Sequence, residues 1–411
     1  KQMGSPAPSA ALHGKRILLG ITGSIAAYKS AILARELQRR GAIVRVVMTP
    51  GAIEFITPLT LATLTDHPVY SDFTENKASG EWTNHVELGL WGDVFIVAPA
   101  TANTLSAFVH GTCDNFLQAV HLSSRCPVCV APAMDLDMLT HAATQSNIQH
   151  LQDRGVGVIE SDSGLLASGL EGKGRMLEPE AIADWMEHWF NERAPLRNKK
   201  VIITAGPTQE PIDSVRFIGN HSSGKMGYAL AQALIVQGAE VHLISGPVQL
   251  NAPKGVASFT EVQTAEEMMT AASRNFNDFD IAIATAAVAD ARPKKSAAIK
   301  LHRNELPDSI ELEPTPDILA HWGKVKAAHQ TVIGFALETD DGVASAMSKL
   351  QRKNLDFIVL NSTAIKGAGF GTDTNQVSIF NRDGKPHKFE LKSKVEVADD
   401  IVRHLLNYLN P

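Results

Sequence analysis

The sequence predicts two doubly wound α/β domains, each built on a Rossmann-like parallel sheet. Three observations support this fold class. Short apolar runs bounded by turn residues recur along the chain, as strands buried on both faces require. Helical patterns separate these runs in both halves, which is typical of βαβ units. The length of 411 residues also exceeds the usual size of one domain.

The first half opens with a strand, a glycine turn and a helix. The apolar run at 16–20 predicts the strand, and Gly23 and Ser24 predict the turn. The helical pattern at 26–40 ends at Gly41, a residue that commonly follows a helix. Further apolar runs predict strands at Ile43–Met48, 94–98 and 128–131.

The second half repeats this order after a polar stretch. Its predicted elements are a strand at 200–204, a helix from about 226 to 237, and strands at Glu240–Ser245, Ile281–Ala284, 332–335 and 357–360. The polar residues 191–199 include Pro195 and are typical of a linker. We therefore predict a disordered leader at 1–13, domains at 14–190 and 200–411, and a linker at 191–199.

Composition and charge exclude several classes of protein. Lys+Arg total 38 against 44 for Asp+Glu, which excludes a strongly basic nucleic-acid-binding chain. The longest apolar runs are far shorter than the ~20 residues of a membrane-spanning helix, and the first residues lack the apolar core of a signal peptide. Three cysteines cannot form a disulfide framework, which fits a reducing compartment. We expect a cytoplasmic enzyme that acts on small molecules.

Two of the cysteines have the spacing of a redox or zinc motif. The pair Cys126 and Cys129 sits on a predicted buried strand and not at the start of a helix, and Cys113 is the only other cysteine. One isolated pair does not supply the four ligands of a structural zinc site. We interpret the pair as apolar packing, and the sequence identifies no metal ligands.

Polar and small residues follow the predicted strands of the first half. Gly23 and Ser24 precede a helix, where free N–H groups and the helix dipole favour a phosphate. Similar segments occur after the later strands, at 99–104, 111–115 and 131–134. Because open α/β sheets bind ligands at the carboxyl ends of their strands, these segments predict a binding site.

The second half contains a segment that matches the motif of a phosphate-binding loop only in part. Gly219, Gly224 and Lys225 have the spacing of that loop. Met226 follows, however, where a Ser or Thr would have to reach magnesium. We therefore reject the ATPase interpretation and predict a polar loop whose amides and hydroxyls bind a phosphorylated ligand.

The whole set of motifs resembles a known family. The first half is similar to flavoproteins that decarboxylate a cysteine unit, through the ordered segments 23–29, 84–88, 99–104, 132–134 and 172–176. The second half resembles the ligase half that accompanies such a decarboxylase in bifunctional enzymes, through segments 205–213, 220–227, 286–290, 315–318, 334–339 and 349–356. Together they resemble the bifunctional phosphopantothenoylcysteine decarboxylase/phosphopantothenate–cysteine ligase family of coenzyme A biosynthesis.

For the first half, the resemblance implies a flavodoxin-like fold that binds FMN. FMN would take a hydride from the cysteine unit, carbon dioxide would leave, and the hydride would return. His85 matches the catalytic histidine of the family, although a buried structural histidine is the alternative. The residues implied in cofactor binding are Gly23, Ser24, Ile25, Thr49, Thr101, Asn103, Thr104, Ala133 and Met134.

Two positions depart from this family. Asp135 replaces an asparagine that donates a hydrogen bond to the substrate carboxylate, and an ionised aspartate can only accept. Ser168 replaces a cysteine that supplies a proton in the final reduction, and a hydroxyl is a much weaker acid than a thiol. We expect the decarboxylase half to be impaired or to act on another substrate.

For the second half, the resemblance implies that CTP and Mg²⁺ activate 4′-phosphopantothenate as an acyl cytidylate, which cysteine then attacks. Asn220 would assist conversion of the acyl cytidylate, and Lys300 would contact the triphosphate with Lys349 and Lys353. The cytidine pocket would comprise Ala284, Thr285, Ala286, Asp290, Pro316, Asp317, Ile318, Leu319 and Phe335. Alternatively, Lys349 and Lys353 form a solvated helix face, and Asp290 is a helix cap or turn residue.

Several other functions remain open from the sequence. The chain could be a specialised relative that joins cysteine to another carboxylate, or a flavin-binding regulatory subunit with vestigial sites. Asp135 or Ser168 could also be introduced substitutions. The resemblance further implies a homo-oligomer with FMN sites at subunit contacts.

Overall fold

The sheets of the structure have the parallel arrangement that the predicted fold class requires. The structure is a computed structural model that describes residues 10–76, 81–302, 307–338, 342–362 and 374–410. The chain divides into two units, with the boundary between Glu192 and Arg193. Each unit contains one large, mainly parallel sheet with helices, so the prediction of two doubly wound α/β folds is confirmed.

The N-terminal unit contains ten strands, nine α-helices and one short 3-10 helix among its described residues. The strands are β1 (Arg16–Ile21), β2 (Ile43–Met48), β3 (Val69–Tyr70), β4 (Thr74–Asn76), β5 (Glu81–Trp82), β6 (Val94–Ala100), β7 (Val128–Pro132), β8 (Gly157–Val158), β9 (Asp162–Leu165) and β10 (Glu171–Arg175). The helices are α1 (Ala27–Arg39), α2 (Pro50–Ile53), α3 (Pro58–Thr65), α4 (His85–Trp91), α5 (Ala102–His110), α6 (Phe116–Ser123), α7 (Leu136–Thr140), α8 (Ala142–Asp153) and α9 (Pro179–Arg193). The 3-10 helix is Ala10–Leu12.

Six parallel strands form the sheet of this unit in the order β3-β2-β1-β6-β7-β8. Alternate residues of β1 pack into two different cores, because successive side chains of a strand point to opposite faces. Ile17 and Leu19 join helix α1 on one face, and Leu18 joins helices α4, α5 and α6 on the other. The strand order reverses between β1 and β6, which is the switch point where such sheets bind ligands.

The C-terminal unit contains fourteen strands, five α-helices and one short 3-10 helix among its described residues. The strands are β11 (Lys200–Ala205), β12 (Gln209–Pro211), β13 (Phe217–Gly219), β14 (Glu240–Ser245), β15 (Ser258–Glu261), β16 (Ile281–Ala284), β17 (Ala291–Pro293), β18 (Leu312–Pro314), β19 (Thr331–Glu338), β20 (Phe357–Ser362), β21 (Thr374–Asn375), β22 (Val377–Asn381), β23 (Pro386–Lys388) and β24 (Lys392–Ser393). The helices are α10 (Lys225–Val236), α11 (Ala265–Ser273), α12 (Ile318–Val325), α13 (Gly342–Arg352) and α14 (Lys394–Leu409), and the 3-10 helix is Phe276–Asp278.

Its main sheet has the order β15-β14-β11-β16-β19-β20-β22-β23. The first six strands pair in parallel, and β22 and β23 add an antiparallel edge. Trp322 and Phe276 stack in the core below this sheet, with ring centroids 5.6 Å apart. The parallel part repeats the strand order of the N-terminal unit, with its switch point between β11 and β16.

The predicted boundaries differ from the observed ones in a few places. Strand β19 extends beyond the predicted 332–335 at both ends. Helix α9 continues to Arg193, so the first residues of the predicted linker are helical. Their polar composition suits an exposed last turn, and the helix ends shortly before Pro195, because the residue before a proline disfavours helix. Residues 1–9 of the predicted leader lie outside the described residues, but Ala10–Leu12 form a 3-10 helix and Leu12 is fully buried, so the prediction of disorder is wrong for these three residues. Within the described ranges, no helix is long and apolar enough to cross a membrane.

Candidate active sites

A cavity of about 560 Å³ lies at the carboxyl edge of the N-terminal sheet. It brings together predicted residues that are far apart in the sequence. Ser24 and Ile25 contribute from the turn between β1 and α1, and Ala133, Met134 and Asp135 contribute from the segment after β7. The other lining residues are Ala26, Tyr28, Lys29, Leu165, Leu166, Ala167, Ser168, Gly174, Arg175 and Met176.

The turn that carries Ser24 depends on a close approach of two backbones. A Cβ atom on Gly23 would lie 2.9 Å from the carbonyl carbon of Gly51, so a side chain there would displace the turn. The hydroxyl of Ser24 accepts a hydrogen bond from the N–H of Ala26 at 3.2 Å. The glycine therefore sets the position of the first helical turn of α1 at the cavity.

Strand β10 supports the wall of the cavity that carries Met134 and Asp135. Gly174 has a φ of +148°, and a Cβ atom there would lie 2.3 Å from the carbonyl oxygen of Met134. This close contact allows the N–H of Met134 to donate to the carbonyl oxygen of Gly174 at 3.1 Å. The neighbouring Asp135 caps α7, since its Oδ1 accepts from the N–H of Leu136 at 2.7 Å. The wall therefore presents a carboxylate to the cavity.

Ser168 lies in the exposed connection between β9 and β10 and also lines the cavity. The two ends of this connection are joined by a hydrogen bond, in which the N–H of Leu166 donates to the carbonyl oxygen of Leu170 at 2.8 Å. The Ser168 hydroxyl accepts weakly from the N–H of Leu170 at 3.4 Å. The structure therefore places both departures from the family, Asp135 and Ser168, at the same cavity.

Two basic residues of this cavity were missed by the sequence analysis. Lys29 is only 4% exposed, and its Nζ donates to the carbonyl oxygen of Met176 and to Glu178 Oε1. Arg175 donates to the same carboxylate oxygen at 3.0 Å. Both residues lie in matched motifs, so the motif matches were the signal that could have identified them.

The remaining predicted cofactor residues lie beside this cavity rather than on its lining. Thr49 follows β2, and Thr101 follows β6, on the two strands next to β1. Thr101 caps α5 by accepting from the N–H of Thr104. Its own N–H donates to Thr22 Oγ1 at 3.1 Å, which fixes the start of α5 against the end of β1. Asn103 is exposed in the first turn of α5.

His85 does not line the cavity. It begins helix α4, which packs on the opposite face of the sheet from α1. Aromatic rings surround its imidazole, with ring centroids 6.0 Å away for Phe73, 6.1 Å for Trp82 and 6.5 Å for Phe116. Its Nδ1 atom is buried and has no hydrogen-bond partner among the described residues. This orphaned nitrogen is unusual for a structural histidine, because buried polar atoms are normally paired.

The residues around the N-terminal cavity fit FMN. The amino ends of α1 and α5 and the hydroxyls of Ser24, Thr49 and Thr101 surround the switch point, where a phosphate would accept hydrogen bonds. The cavity volume lies within the ~300–1,000 Å³ of typical ligand sites.

A larger cavity of about 730 Å³ lies at the carboxyl edge of the C-terminal sheet. It collects most of the predicted ligase residues from five separate segments. The predicted residues on its lining are Asn220, Ala284, Ala286, Asp290, Pro316, Asp317, Ile318, Leu319, Phe335, Lys349 and Lys353. Thr204, His221, Ala287, Val288, Ala289, Thr315 and Leu337 complete the lining, and the sequence analysis did not select them.

Two lysines contribute positively charged groups to this cavity. Lys353 Nζ lies 2.6 Å from Asp317 Oδ2, and Lys349 Nζ donates to the carbonyl oxygen of Phe335 at 3.0 Å. Burial raises the pKa of Asp317, but hydrogen bonds from Lys353 and the N–H of Ala320 outweigh it, and the pKa is lowered. Both lysines line the cavity, so they do not form the solvated helix face of the alternative interpretation.

Asn220 and Asp290 lie in loops at the rim. Asn220 Nδ2 donates to the carbonyl oxygen of Val288 at 2.9 Å, which joins the loop after β13 to the loop after β16. Asp290 begins no helix, so the helix-cap alternative is wrong. Its backbone carbonyl accepts from the N–H of Thr315 at 3.1 Å. Both side chains are exposed and line the cavity.

Two predicted ligase residues lie elsewhere. Thr285 lines a smaller neighbouring cavity. Its hydroxyl donates to the carbonyl oxygen of Thr204 at 2.7 Å. Lys300 is exposed between β17 and β18 and lines neither cavity. The next residue, Leu301, is held by Asp213 and Arg216 through its N–H and carbonyl groups.

Part of the first ligase motif has a structural role. Thr208 Oγ1 accepts from the N–H of Ala289, and Glu210 Oε1 accepts from the N–H of Ala265 at the start of α11. Burial would raise the pKa of Asp213, but backbone N–H donors and the charge of Arg216 lower it to about 2. These buried contacts hold the loops that form the rim of the larger cavity.

Comparisons with known proteins identify the family. Residues 6–191 match the family model described as Flavoprotein, and residues 196–409 match the DNA/pantothenate metabolism flavoprotein C-terminal domain. The coenzyme A biosynthesis bifunctional protein CoaBC of Bacillus subtilis is 44% identical over 96% of this chain and 97% of its own length. The chain belongs to the CoaBC family. The family predicted from the sequence is confirmed, together with an enzyme of coenzyme A biosynthesis that has a ligase half and a decarboxylase half.

Two further relatives of this CoaBC family member are informative. A cysteine/cysteine sulfinic acid decarboxylase from an unknown prokaryotic organism is 50% identical over 86% of this chain and 100% of its own length. The solved C-terminal domain of a CoaBC protein is 41% identical, covers 53% of this chain and 98% of its own, and superposes with a TM-score of 0.45.

Proposed function

We propose that the C-terminal unit joins 4′-phosphopantothenate to cysteine with CTP, through an acyl cytidylate. The observation that carries this proposal is the 730 Å³ cavity, which has room for a nucleotide and a second substrate together. Its lining combines the matched residues Asn220, Asp290 and Phe335 with two lysines. The relative from Bacillus subtilis, named for coenzyme A biosynthesis, supports this assignment.

The charges of the cavity suit the activation step. Lys349 and Lys353 would meet the triphosphate, where their positive charge offsets the charge that develops as pyrophosphate leaves. The described residues contain no cluster of three or more His, Cys, Asp and Glu side chains that could hold a metal ion. We therefore propose that Mg²⁺ enters on the phosphates of CTP, as it commonly does in nucleotide enzymes.

In the N-terminal unit, Ser24, Ile25 and Met134 would hold FMN at the cavity, and Thr49 and Thr101 would approach its phosphate. When bound, FMN supplies the hydride acceptor and donor that decarboxylation of a cysteine unit requires. Ser168 lines this cavity, and we propose that it takes the position of the proton donor of the family; its hydroxyl is a weaker acid than the thiol found there. We therefore expect slow turnover of phosphopantothenoylcysteine.

A second copy of the chain would complete this site. His85 is the matched catalytic residue, yet it lies off the cavity of its own chain. Phe73 and Trp82, next to its imidazole, are 39% and 57% exposed. We propose that His85 reaches the FMN site of a neighbouring copy, and that these aromatic side chains become buried in that contact.

A second candidate substrate for the N-terminal unit is a free cysteine-type amino acid. Asp135 places a carboxylate at the cavity, and a free amino acid has an α-ammonium group to pair with it. The amide-linked cysteine of phosphopantothenoylcysteine has no such group. The relative named as a cysteine/cysteine sulfinic acid decarboxylase is consistent with this candidate.

Product analysis of the FMN-loaded chain tests both halves. With phosphopantothenate, cysteine, CTP and Mg²⁺, mass spectrometry should detect the cysteine adduct with its carboxylate retained. The double variant Asp135→Asn, Ser168→Cys should convert that adduct to the decarboxylated aminothiol. Absence of any adduct from the wild-type chain would refute the ligase assignment.

Release of carbon dioxide from free cysteine tests the second candidate. Asp135→Asn should abolish this release, whereas Asp137→Asn, an exposed change in the helix that Asp135 caps, should leave it unchanged. No release from free cysteine by the wild-type chain would rule out the second candidate and leave the ligase assignment untouched.

A further inference from the structure

A small cavity of about 160 Å³ lies beside the nucleotide-sized cavity of the C-terminal unit. The two cavities share Ala286, Ala287, Phe335 and Leu337 on their linings, so a molecule in one would lie next to a molecule in the other. Typical ligand cavities measure ~300–1,000 Å³. The small cavity therefore suits a compact molecule, of about the size of an amino acid.

One side of the small cavity offers hydrogen-bond donors and positive charge. Helix α10, twelve residues long, begins there at Lys225. Gly224 precedes it with a φ of +72° and provides no side-chain cap. The first N–H groups of the helix, which have no partner within the helix, therefore receive no hydrogen bond from a capping side chain. Lys394, which is 8% exposed, also lines this cavity. A carboxylate is stabilised at such a position.

The other side offers hydrogen-bond acceptors. Asn375 is 3% exposed, and its Oδ1 atom is buried without a hydrogen-bond partner among the described residues. Its Nδ2 donates to the sulfur of Met226 at 3.8 Å, and turning the amide would place two acceptors against each other. The Oδ1 atom of Asn361, on the same lining, is likewise buried and has no partner in the described part of the chain.

Short strands hold these groups together. Asn375 on β21 pairs with Lys392 on β24, and α14 starts two residues later at Lys394. Asn361 lies near the end of β20, in the main sheet. The acceptors are therefore fixed by backbone hydrogen bonds, and a buried acceptor left without a donor is costly.

We propose that the small cavity binds the amino acid that receives the acyl group, as a zwitterion. Its ammonium group donates to the Oδ1 atoms of Asn361 and Asn375, and its carboxylate lies at the amino end of α10 near Lys394. A polyphosphate would offer acceptors only, and would leave both amide oxygens unmatched. The proposal rests on the proposed ligase function, because it assigns a site to the cysteine that this reaction consumes.

Two variants of Asn375 test the proposal in the full chain. Asn375→Leu removes the acceptor at similar volume, and should raise the KM for cysteine about tenfold or more in assays of CMP release. Asn375→Asp keeps acceptor oxygens for the ammonium group, and should keep that KM within about threefold. Pyrophosphate release from CTP and phosphopantothenate before cysteine is added should be unchanged in both variants. Asn251→Leu, an exposed change in the same unit, is the matched control.

The opposite pattern would overturn the proposal. If Asn375→Asp raises the KM for CTP while Asn375→Leu leaves the KM for cysteine unchanged, the cavity holds the phosphates of the nucleotide. Unchanged thermal melting of Asn375→Asp separates a binding defect from misfolding. If the wild-type chain releases no pyrophosphate, the ligase function itself fails, and this inference fails with it.

Discussion

Replacement of Lys353 by methionine separates its role in binding from its role in stability. Lys353 pairs with Asp317 at 2.6 Å, but only the lysine side of this pair is well buried, with side-chain exposures of 13% and 50%. Asp317 also caps α12 through the N–H of Ala320, and the variant keeps that hydrogen bond. The pair is therefore partly screened by solvent, and its loss should cost about 0.5–1 kcal/mol of unfolding free energy.

The expected effect on CTP is larger than the effect on stability. A charge-assisted contact to phosphate contributes about 1.5–3 kcal/mol, so Lys353→Met should raise the KM for CTP by roughly 10–150-fold. The melting temperature of the C-terminal unit should fall by no more than about 4 °C, since 1 kcal/mol shifts a unit of this size by about 2–4 °C. Pyrophosphate release at varied CTP concentration measures the effect on the KM for CTP. Melting curves of the wild-type and Lys353→Met chains measure the effect on stability.

Lys324→Met is the matched control. This lysine lies exposed on α12, near the cavity but not on its lining, and its replacement should leave the KM for CTP unchanged. A Lys353→Met chain with an unchanged KM for CTP and a lower melting temperature would refute the binding role. Lys353 would then serve only as the partner of Asp317.

Three further predictions concern other parts of the chain. Gly174→Ala should destabilise the N-terminal unit by about 2–3 kcal/mol in chemical denaturation, since its Cβ would meet the Met134 carbonyl, whereas Gly155→Ala, with a φ of +83° but open space, should cost about 1 kcal/mol. The folded-state pKa of Asp213 is about 2, below the ordinary value of 3.8, so its contribution to stability is present at neutral pH and lost as the pH falls toward 2. Asp213→Asn should lower the melting temperature at pH 7 and flatten this acid-induced loss; an equal acid-induced loss in both chains would contradict it. In the Asp135→Asn, Ser168→Cys double variant, His85→Gln should lower the release of carbon dioxide from the cysteine adduct by roughly 10²–10⁴-fold without changing pyrophosphate release, and an unchanged rate would exclude a role in proton transfer.

The sequence predicted the local elements well because they depend on short-range patterns. Buried parallel strands such as Ile43–Met48 and Ile281–Ala284 are continuous apolar runs, and their observed bounds agree with the prediction. The error at α9 has the same local origin, since polar residues can end a helix or form its exposed last turn. Pro195, rather than composition, was the informative signal.

The sequence also determined the family and most residues of the large cavity, because ordered motifs carry that information without any coordinates. Only the tertiary structure decided which of these residues meet. It placed Asp135 and Ser168 at one cavity and His85 on the other face of the same sheet. Sequence distance does not encode such proximity, because the carboxyl ends of several strands meet only after the sheet has formed. The small cavity is the clearest case, since Asn361, Asn375 and the start of α10 become neighbours only through the pairing of β21 with β24 and the packing of α14 against α10.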